Sequence, residues 1–429
     1  MFALVILYFF VFCLLAWKNF RLGLMFLILL LPAYLIRFKL FGLPTTLLEI
    51  TFGALFLVWL TKHARRDCAE IKNFIFEHKI LAGAIGVFFI SSVISIFVSD
   101  MAVASLGQWR AYFLEPMLVF FILVGRRKEI GAENLAKYLL YSTAAVSILA
   151  LWQKFDPAYY PPSLWDDDLR GRVTSFFTSP NALGLYLVPT LVLGLSFVYP
   201  SLIPPLLRGG NLKRFFPLLF FLLAIAALFF SFSRGAWLAL LAASIVYIFL
   251  IGYRKIAAAV LIVAVIACLF APGMKSALLL QDKSGQNRLV LWSYSWQFLS
   301  ASPRNFILGA GIRQFFRKIQ KPHYNSKEME RLIYPHNIAL NFWTETGLAG
   351  MLSFFALLGS AAYILKKNGG IMATGALAAL AAVFVHGLVD APYFKNDLAM
   401  MFWIILSFVA YARVRESETI VRAGASGKN

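Results

Sequence analysis

The chain has 429 residues, of which 61% are hydrophobic and only 14% charged, with a formal net charge of +20. A soluble domain carries about a quarter charged residues, so this composition excludes an ordinary soluble enzyme and points to one polytopic membrane domain over residues 1–429. No polar stretch is long enough to fold into a nucleic-acid reader, and basic loops on the cytoplasmic side account for a positive membrane protein, so nucleic acid is not expected as a partner.

A bilayer-crossing helix needs about 20 apolar residues. The first run, 2–17, lies in MFALVILYFFVFCLLAW, which has neither a charged leading region nor a small-residue cleavage site. It is expected to be a span rather than a removable signal. Further apolar runs follow at 22–41, 43–61, 80–98, 107–124, 137–155, 181–199, 215–232, 235–252, 256–271, 337–363, 371–389 and 397–412. The fold class expected is therefore an all-α polytopic membrane protein of about 12–13 transmembrane helices. Its three cysteines, Cys13, Cys68 and Cys268, have no paired spacing and indicate neither a disulfide framework nor a zinc site.

Basic stretches separate alternate runs: KHARRD (62–67), GRRKE (125–129), RGGNLKR (208–214), YRK (253–255), KK (366–367) and ARVR (412–415). All fall on one side if the runs alternate, and the positive-inside bias makes that side cytoplasmic, together with the tail 414–429. The exterior then receives 156–180, the turn Ser233-Arg234-Gly235, a long loop over 272–336 and the turn 390–396. The long loop has ten Lys/Arg against three acids, an excess on the unexpected side. Loops this long largely escape the bias, and two readings stay open: contact with anionic lipid headgroups, or retention of an anionic substrate outside the membrane.

Arginines stand out at the exterior re-entry points. Arg172 lies in GRVTSFFTSPNALG (171–184), with Arg170 a weaker neighbour. Arg234 lies in SFSRGAWLALL (231–241), and Arg288 in QNRLVLWSYSW (286–296), which has the spacing of an amphipathic surface helix. A tight exterior turn needs no cation for topology, although an arginine at a bilayer edge can also snorkel. Guanidinium groups offer forked, permanently charged donors to phosphate oxygens, so three of them converging would clamp a diphosphate.

The loop ends in Pro335-His336-Asn337, ahead of an apolar run. His336 or Asn337 is expected to cap the next helix, and a helix N-terminus favours neutral imidazole, which places His336 to act as a general base. His386 and Asp390, four apart, are expected on one helix face as a structural pair or a second polar group of the site. His63 and His78 read as solvated, and His323 as part of a flexible basic patch. Arg110 and Glu115 are expected to pair within a span, while Glu49, Asn341 and Glu345 should face protein rather than lipid.

Other chemistries find little support. No exterior carboxylate pair has glycosidase-like spacing, and no glycine-rich phosphate loop signals ATP. WDDD (165–168) reads either as a cation ligand or as solvated charge.

At SRGAWLAL (233–240), RVTSFFTSPNALGLYL (172–187), the stretch from RLVLWSYSW to GAG (288–311) and PHNIALNFWTETGLAG (335–350) the chain resembles the bacterial O-antigen ligase family, which includes O-antigen polymerases. The resemblance implies a membrane-embedded glycosyltransferase of the GT-C type in the bacterial inner membrane, with its active site facing the periplasm and a long periplasmic loop carrying short amphipathic helices. It implies transfer of a glycan from undecaprenyl diphosphate to a lipid-core or other glycan acceptor, among membrane lipids, with inversion and without metal or other cofactor. It makes His336 the catalytic base and Arg172, Arg234 and Arg288 the diphosphate ligands, with Asn181, Asn337, Arg170, His386 and Asp390 as supporting residues. Thirteen runs exceed the family's usual twelve-span scheme by one at the N-terminus. A polymerase of the same family shares the donor chemistry and differs in the acceptor. A lipid-linked glycan flippase would instead predict broken, charged spans near the midplane in two related halves, whereas the charges here cluster toward one face.

Overall fold

The computed structural model describes residues 2–40, 43–156, 171–202, 212–270, 275–276, 279–325 and 330–412. WDDD, Arg170 and the tail 414–429 lie outside the described residues.

Helix α1 (Phe2–Lys18) leads into α2 (Phe20–Leu29), which Asn19 caps by accepting from the Leu22 amide. The run 22–41 does not form one span. It passes from α2 into a 3-10 turn, Leu31–Leu35, and then into strand β1 (Arg37–Leu40), which pairs antiparallel with β2 (Leu43–Thr46). Pro32 lacks the amide a continuing helix needs, and Arg37-Phe38-Lys39-Leu40 alternates with the period of a strand. A capping box between Thr46 and Glu49 starts α3 (Leu47–Lys62). The KHARRD stretch then opens α4 (Ala64–Glu77), a helix bent 94° from α3 rather than a loop.

Next come α5 (Lys79–Val98) and α6 (Ala102–Trp109), a π-turn at Arg110–Leu114, α7 (Glu115–Gly125), the one-turn α8 (Arg127–Ile130) and α9 (Ala132–Phe155). The π-turn has a local cause. Pro116 has no amide to give the Tyr112 carbonyl, and the Tyr393 hydroxyl donates to that carbonyl instead at 2.6 Å. The chain continues through α10 (Pro180–Leu202), α11 (Leu212–Ser231), α12 (Arg234–Leu250) and α13 (Arg254–Phe270). In the long loop lie α14 (Lys283–Ser300) and α15 (Pro303–Leu308), followed by α16 (Ile338–Asn368), α17 (Ile371–Gly387) and α18 (Asn396–Leu406).

The protein is an all-α multi-pass membrane protein. Among the described residues α5, α9, α10 and α16 are each long and apolar enough to cross a bilayer, the bent pair α3–α4 is a broken candidate, and six shorter apolar helices accompany them. Helix α16 packs along α5, α10 along α17 and α11, and α12 along α17. Polar groups inside this bundle face protein, as expected. Arg110 meets Glu49 at 2.5 Å and Glu115 at 3.2 Å, and Glu49 also accepts from Asn396 at 3.1 Å. Asn341 and Glu345 are buried.

The two ends of the bundle differ. At one end KHARRD and GRRKE meet through Arg66–Glu129 and Arg126–Asp67 at 3.5 Å, and Arg127 also pairs with Glu70 of α4 at 2.8 Å, so these two stretches share one end of the bundle. At the other end the long loop docks on helix ends. Gln314 donates to Ser99 at 2.7 Å, Lys318 pairs with Asp100 at 3.0 Å, and the Glu345 carboxylate accepts from the Arg313 amide at 2.9 Å. His323, in the patch read as flexible, stacks on Tyr294 with centroids 4.2 Å apart.

Docking requires two backbones to touch. Gly347 interrupts α16 at φ 75°, and a Cβ there would lie 2.4 Å from the Ile307 carbonyl oxygen. Gly309 makes the reciprocal approach to Trp343 and Thr344. Gly347→Ala is expected to cost about 1–3 kcal/mol through left-handed strain and contact, read as a lower thermal midpoint in detergent. An unchanged midpoint would contradict this seating of the loop.

Candidate active site

The end of the bundle that receives the loop collects the C-termini of α9, α11 and α17 and the N-termini of α10, α12 and α16. Asn337 is the N-cap of α16, its side-chain oxygen accepting from the amides of Ala339 and Leu340 at 3.1 Å. Its amide nitrogen donates to the Leu388 carbonyl at 3.2 Å, tying α16 to the end of α17. His336 is thus the residue before the cap. Its backbone is left-handed, with φ 54°, a conformation uncommon outside glycine though less so for histidine. Two contacts hold it there: Trp292 of α14 donates to the Pro335 carbonyl at 2.9 Å, and His336 Nδ1 lies 2.9 Å from Asp390 Oδ1.

The expectation that His386 and Asp390 share a helix face is corrected. Helix α17 ends at Gly387, Leu388 caps it, and Asp390 lies in the following turn, bonded to His336. His386 remains buried beside this pair. Burial pushes the Asp390 carboxyl up, but the His336 hydrogen bond, the neighbouring imidazole charges and the Ala391 amide at 2.8 Å outweigh it and hold the group well below the usual carboxylate range. An ionised Asp390 only accepts, so His336 Nδ1 donates to it, and Nε2 is the ring nitrogen that Asp390 does not engage.

Arg172 reaches the same end on a segment that Gln153 of α9 pins, its side-chain oxygen accepting from the amides of Thr174 at 3.0 Å and Ser175 at 2.8 Å. The Arg172 guanidinium donates to the carbonyls of Ser231 at 2.9 Å and Phe232 at 3.3 Å, in the turn that leads into Arg234. Burial, then the nearby Arg234 charge, lower its pKa from the ordinary value. Arg234 is not in a free turn but is the first residue of α12, where its charge meets the positive pole of the helix. Its Nη2 pairs with Asp282 at 2.6 Å. Ser233, the residue before it, donates to Asn181 at the start of α10 at 2.9 Å.

Arg288 lies on the second turn of α14, half-buried and within electrostatic range of His386. The same imidazole lies against Gly235, where a Cβ would be 3.6 Å from Nε2. Arg172 and Arg234, Arg288 and His386, and His336 and Asp390 thus pair off at this end of the bundle, with His386 next to both Gly235 and Asp390. Sequence reading did not find Gln153, Asp282 or Trp292. Asp282 had a partial signal as an N-cap ahead of an amphipathic run, whereas the other two contacts are purely tertiary.

Residues 219–355 match the family model described as O-antigen ligase. Over that stretch the chain is similar to the O-antigen ligase family. The matched stretch is about a third of the chain and contains Arg234, Asp282, Arg288 and His336, while Arg172, Asn181 and Asp390 lie outside it. No curated protein matches the chain. This match supports, at a coarse level, a glycosyltransferase-type activity on lipid-linked glycans in a membrane.

The depressed Asp390 pKa has a definite sign. A carboxyl lowered in the fold contributes stability present above its unfolded value, about 3.9, and lost as pH falls toward the folded value. The protein is expected to lose thermal stability as pH drops below about 4, and Asp390→Asn to flatten that decline. An acid limb of equal slope in both proteins would contradict the account.

Proposed function

We propose that the protein transfers a glycan from undecaprenyl diphosphate to an acceptor hydroxyl at the periplasmic face of the bacterial inner membrane, as an O-antigen ligase. The observation that carries this reading is the His336–Asp390 hydrogen bond at the bundle end that also holds Arg172, Arg234 and Arg288. His336 Nε2 takes the acceptor proton as the acceptor oxygen attacks the anomeric carbon. Asp390 orients the ring and stabilises the imidazolium that forms. The bond from that carbon to the diphosphate oxygen breaks, its electron pair leaves with the diphosphate, and the guanidinium groups offset the developing charge. One in-line displacement inverts the anomeric centre.

Support for the arginine roles differs between residues. Arg172 already gives two donor atoms to the carbonyls of Ser231 and Phe232, so it shapes the turn before Arg234 as well as adding charge. Arg234 and Arg288 are attached to helices whose ends meet there, which suits them to direct contact. Asn181 and Asn337 position backbone, through Ser233 and through the α16 cap. The mechanism needs neither a metal nor a nucleotide.

The test is transfer by the reconstituted full-length protein, with undecaprenyl-diphosphate glycan as donor and lipid-core or glycan acceptors. His336→Ala is expected to lose about 10²–10⁴-fold in rate and Arg234→Ala about 10²–10³-fold, with EDTA without effect. Full transfer by His336→Ala would overturn the base assignment. Transfer to another lipid-linked repeat in preference to a lipid core would make the protein a polymerase.

A further inference from the structure

We propose that the Asp282 carboxylate holds the place of a substrate anion: it occupies Arg234 in the free protein and leaves it when a diphosphate binds. The inference rests on the diphosphate reading of Arg234 given above and adds to it a residue that sets donor affinity and the position of the loop.

Arg234 stands at the first position of α12, where the unbonded amides of a helix start already create positive potential. The Arg172 guanidinium, close enough to feel the Arg234 charge, adds to that potential. Such a place calls for an anion, and Asp282 Oδ2 lies there, 2.6 Å from Arg234 Nη2. The carboxylate comes from a different segment, 48 residues along the chain. Its other oxygen is committed elsewhere: Asp282 Oδ1 accepts from the Gly285 amide at 2.9 Å and caps α14.

One side chain therefore joins Arg234 to the helix that carries Arg288 and Trp292. Trp292 in turn holds the Pro335 carbonyl at 2.9 Å, next to His336. A diphosphate arriving at Arg234 competes with Asp282 Oδ2 and leaves Oδ1 on the Gly285 amide. It frees the start of α14 from α12 without uncapping it, so the helix bearing Arg288 can settle on the donor while Trp292 stays attached to the loop end. Because the Arg234–Asp282 pair is partly exposed, its contribution is modest, as a contact that must open on binding requires.

Asparagine caps helices as well as aspartate does, so Asp282→Asn keeps the α14 cap and removes the charge. Asp282→Ser is a second capping variant if the first folds poorly. The experiment measures binding of methylene diphosphonate to the full-length protein in detergent at fixed ionic strength, for wild type, Asp282→Asn, Arg234→Gln and the double variant. Expected is about two- to fivefold tighter binding for Asp282→Asn, the size of a lost competing surface ion pair, with no such gain in the Arg234→Gln background. Equal tightening in both backgrounds would mean general electrostatics and overturn the proposal. No tightening, with Arg234→Gln still weakening binding, would overturn it and leave the clamp intact. Wild-type affinity in Arg234→Gln would remove the clamp and this inference together.

Discussion

The hydrogen bond between His336 and Asp390 joins residues 54 positions apart and fixes how two helix ends meet. One partner precedes the cap of α16 and the other follows the end of α17, so the bond forms only when those helices are packed and the long loop is seated. Asn337 strengthens the same junction by reaching the Leu388 carbonyl. The left-handed backbone of His336 is the cost of aiming the imidazole from a position just outside the helix. A residue held in that region costs on the order of 1–3 kcal/mol, and the contacts from Trp292 and Asp390 offset it.

The arginines follow the same logic of placement at element ends. A cation at the first position of α12 opposes the helix dipole, and one beside a second guanidinium opposes that charge too. Neither arrangement favours folding unless anions are supplied. Asp282 supplies one within the protein, and the proposed diphosphate would supply the other. Charge that is unfavourable for the fold but held at the same bundle end as His336 is what the proposed stabilisation of a departing anion needs.

Much of the architecture was legible because its causes are local. Apolar runs gave the helices, Thr46 to Glu49 the start of α3, and Pro335-His336-Asn337 the cap of α16. Errors arose where a single residue overrides a hydropathy run. Pro32 and the alternation after Ile36 turned a presumed span into a hairpin. His386 and Asp390 have i,i+4 spacing, yet Gly387 ends the helix between them, so Asp390 turns to His336 instead. Arg234 was legible as a misplaced cation, whereas its partner Asp282 was not, since nothing local ties positions 48 apart. The pinning of the Arg172 segment by Gln153 was hidden for the same reason. A buried glutamine in an apolar helix shows a need for partners without naming them.

The central claim is that His336 and Asp390 act as one unit, and a double-mutant cycle on transfer rate tests it most directly. The rates of wild type, His336→Ala, Asp390→Asn and the double variant are compared at matched folded protein. The account predicts that the double variant is no slower than His336→Ala alone, because an orienting carboxylate has nothing to orient once the imidazole is gone. Losses that multiply would show that the two residues act independently and would contradict it.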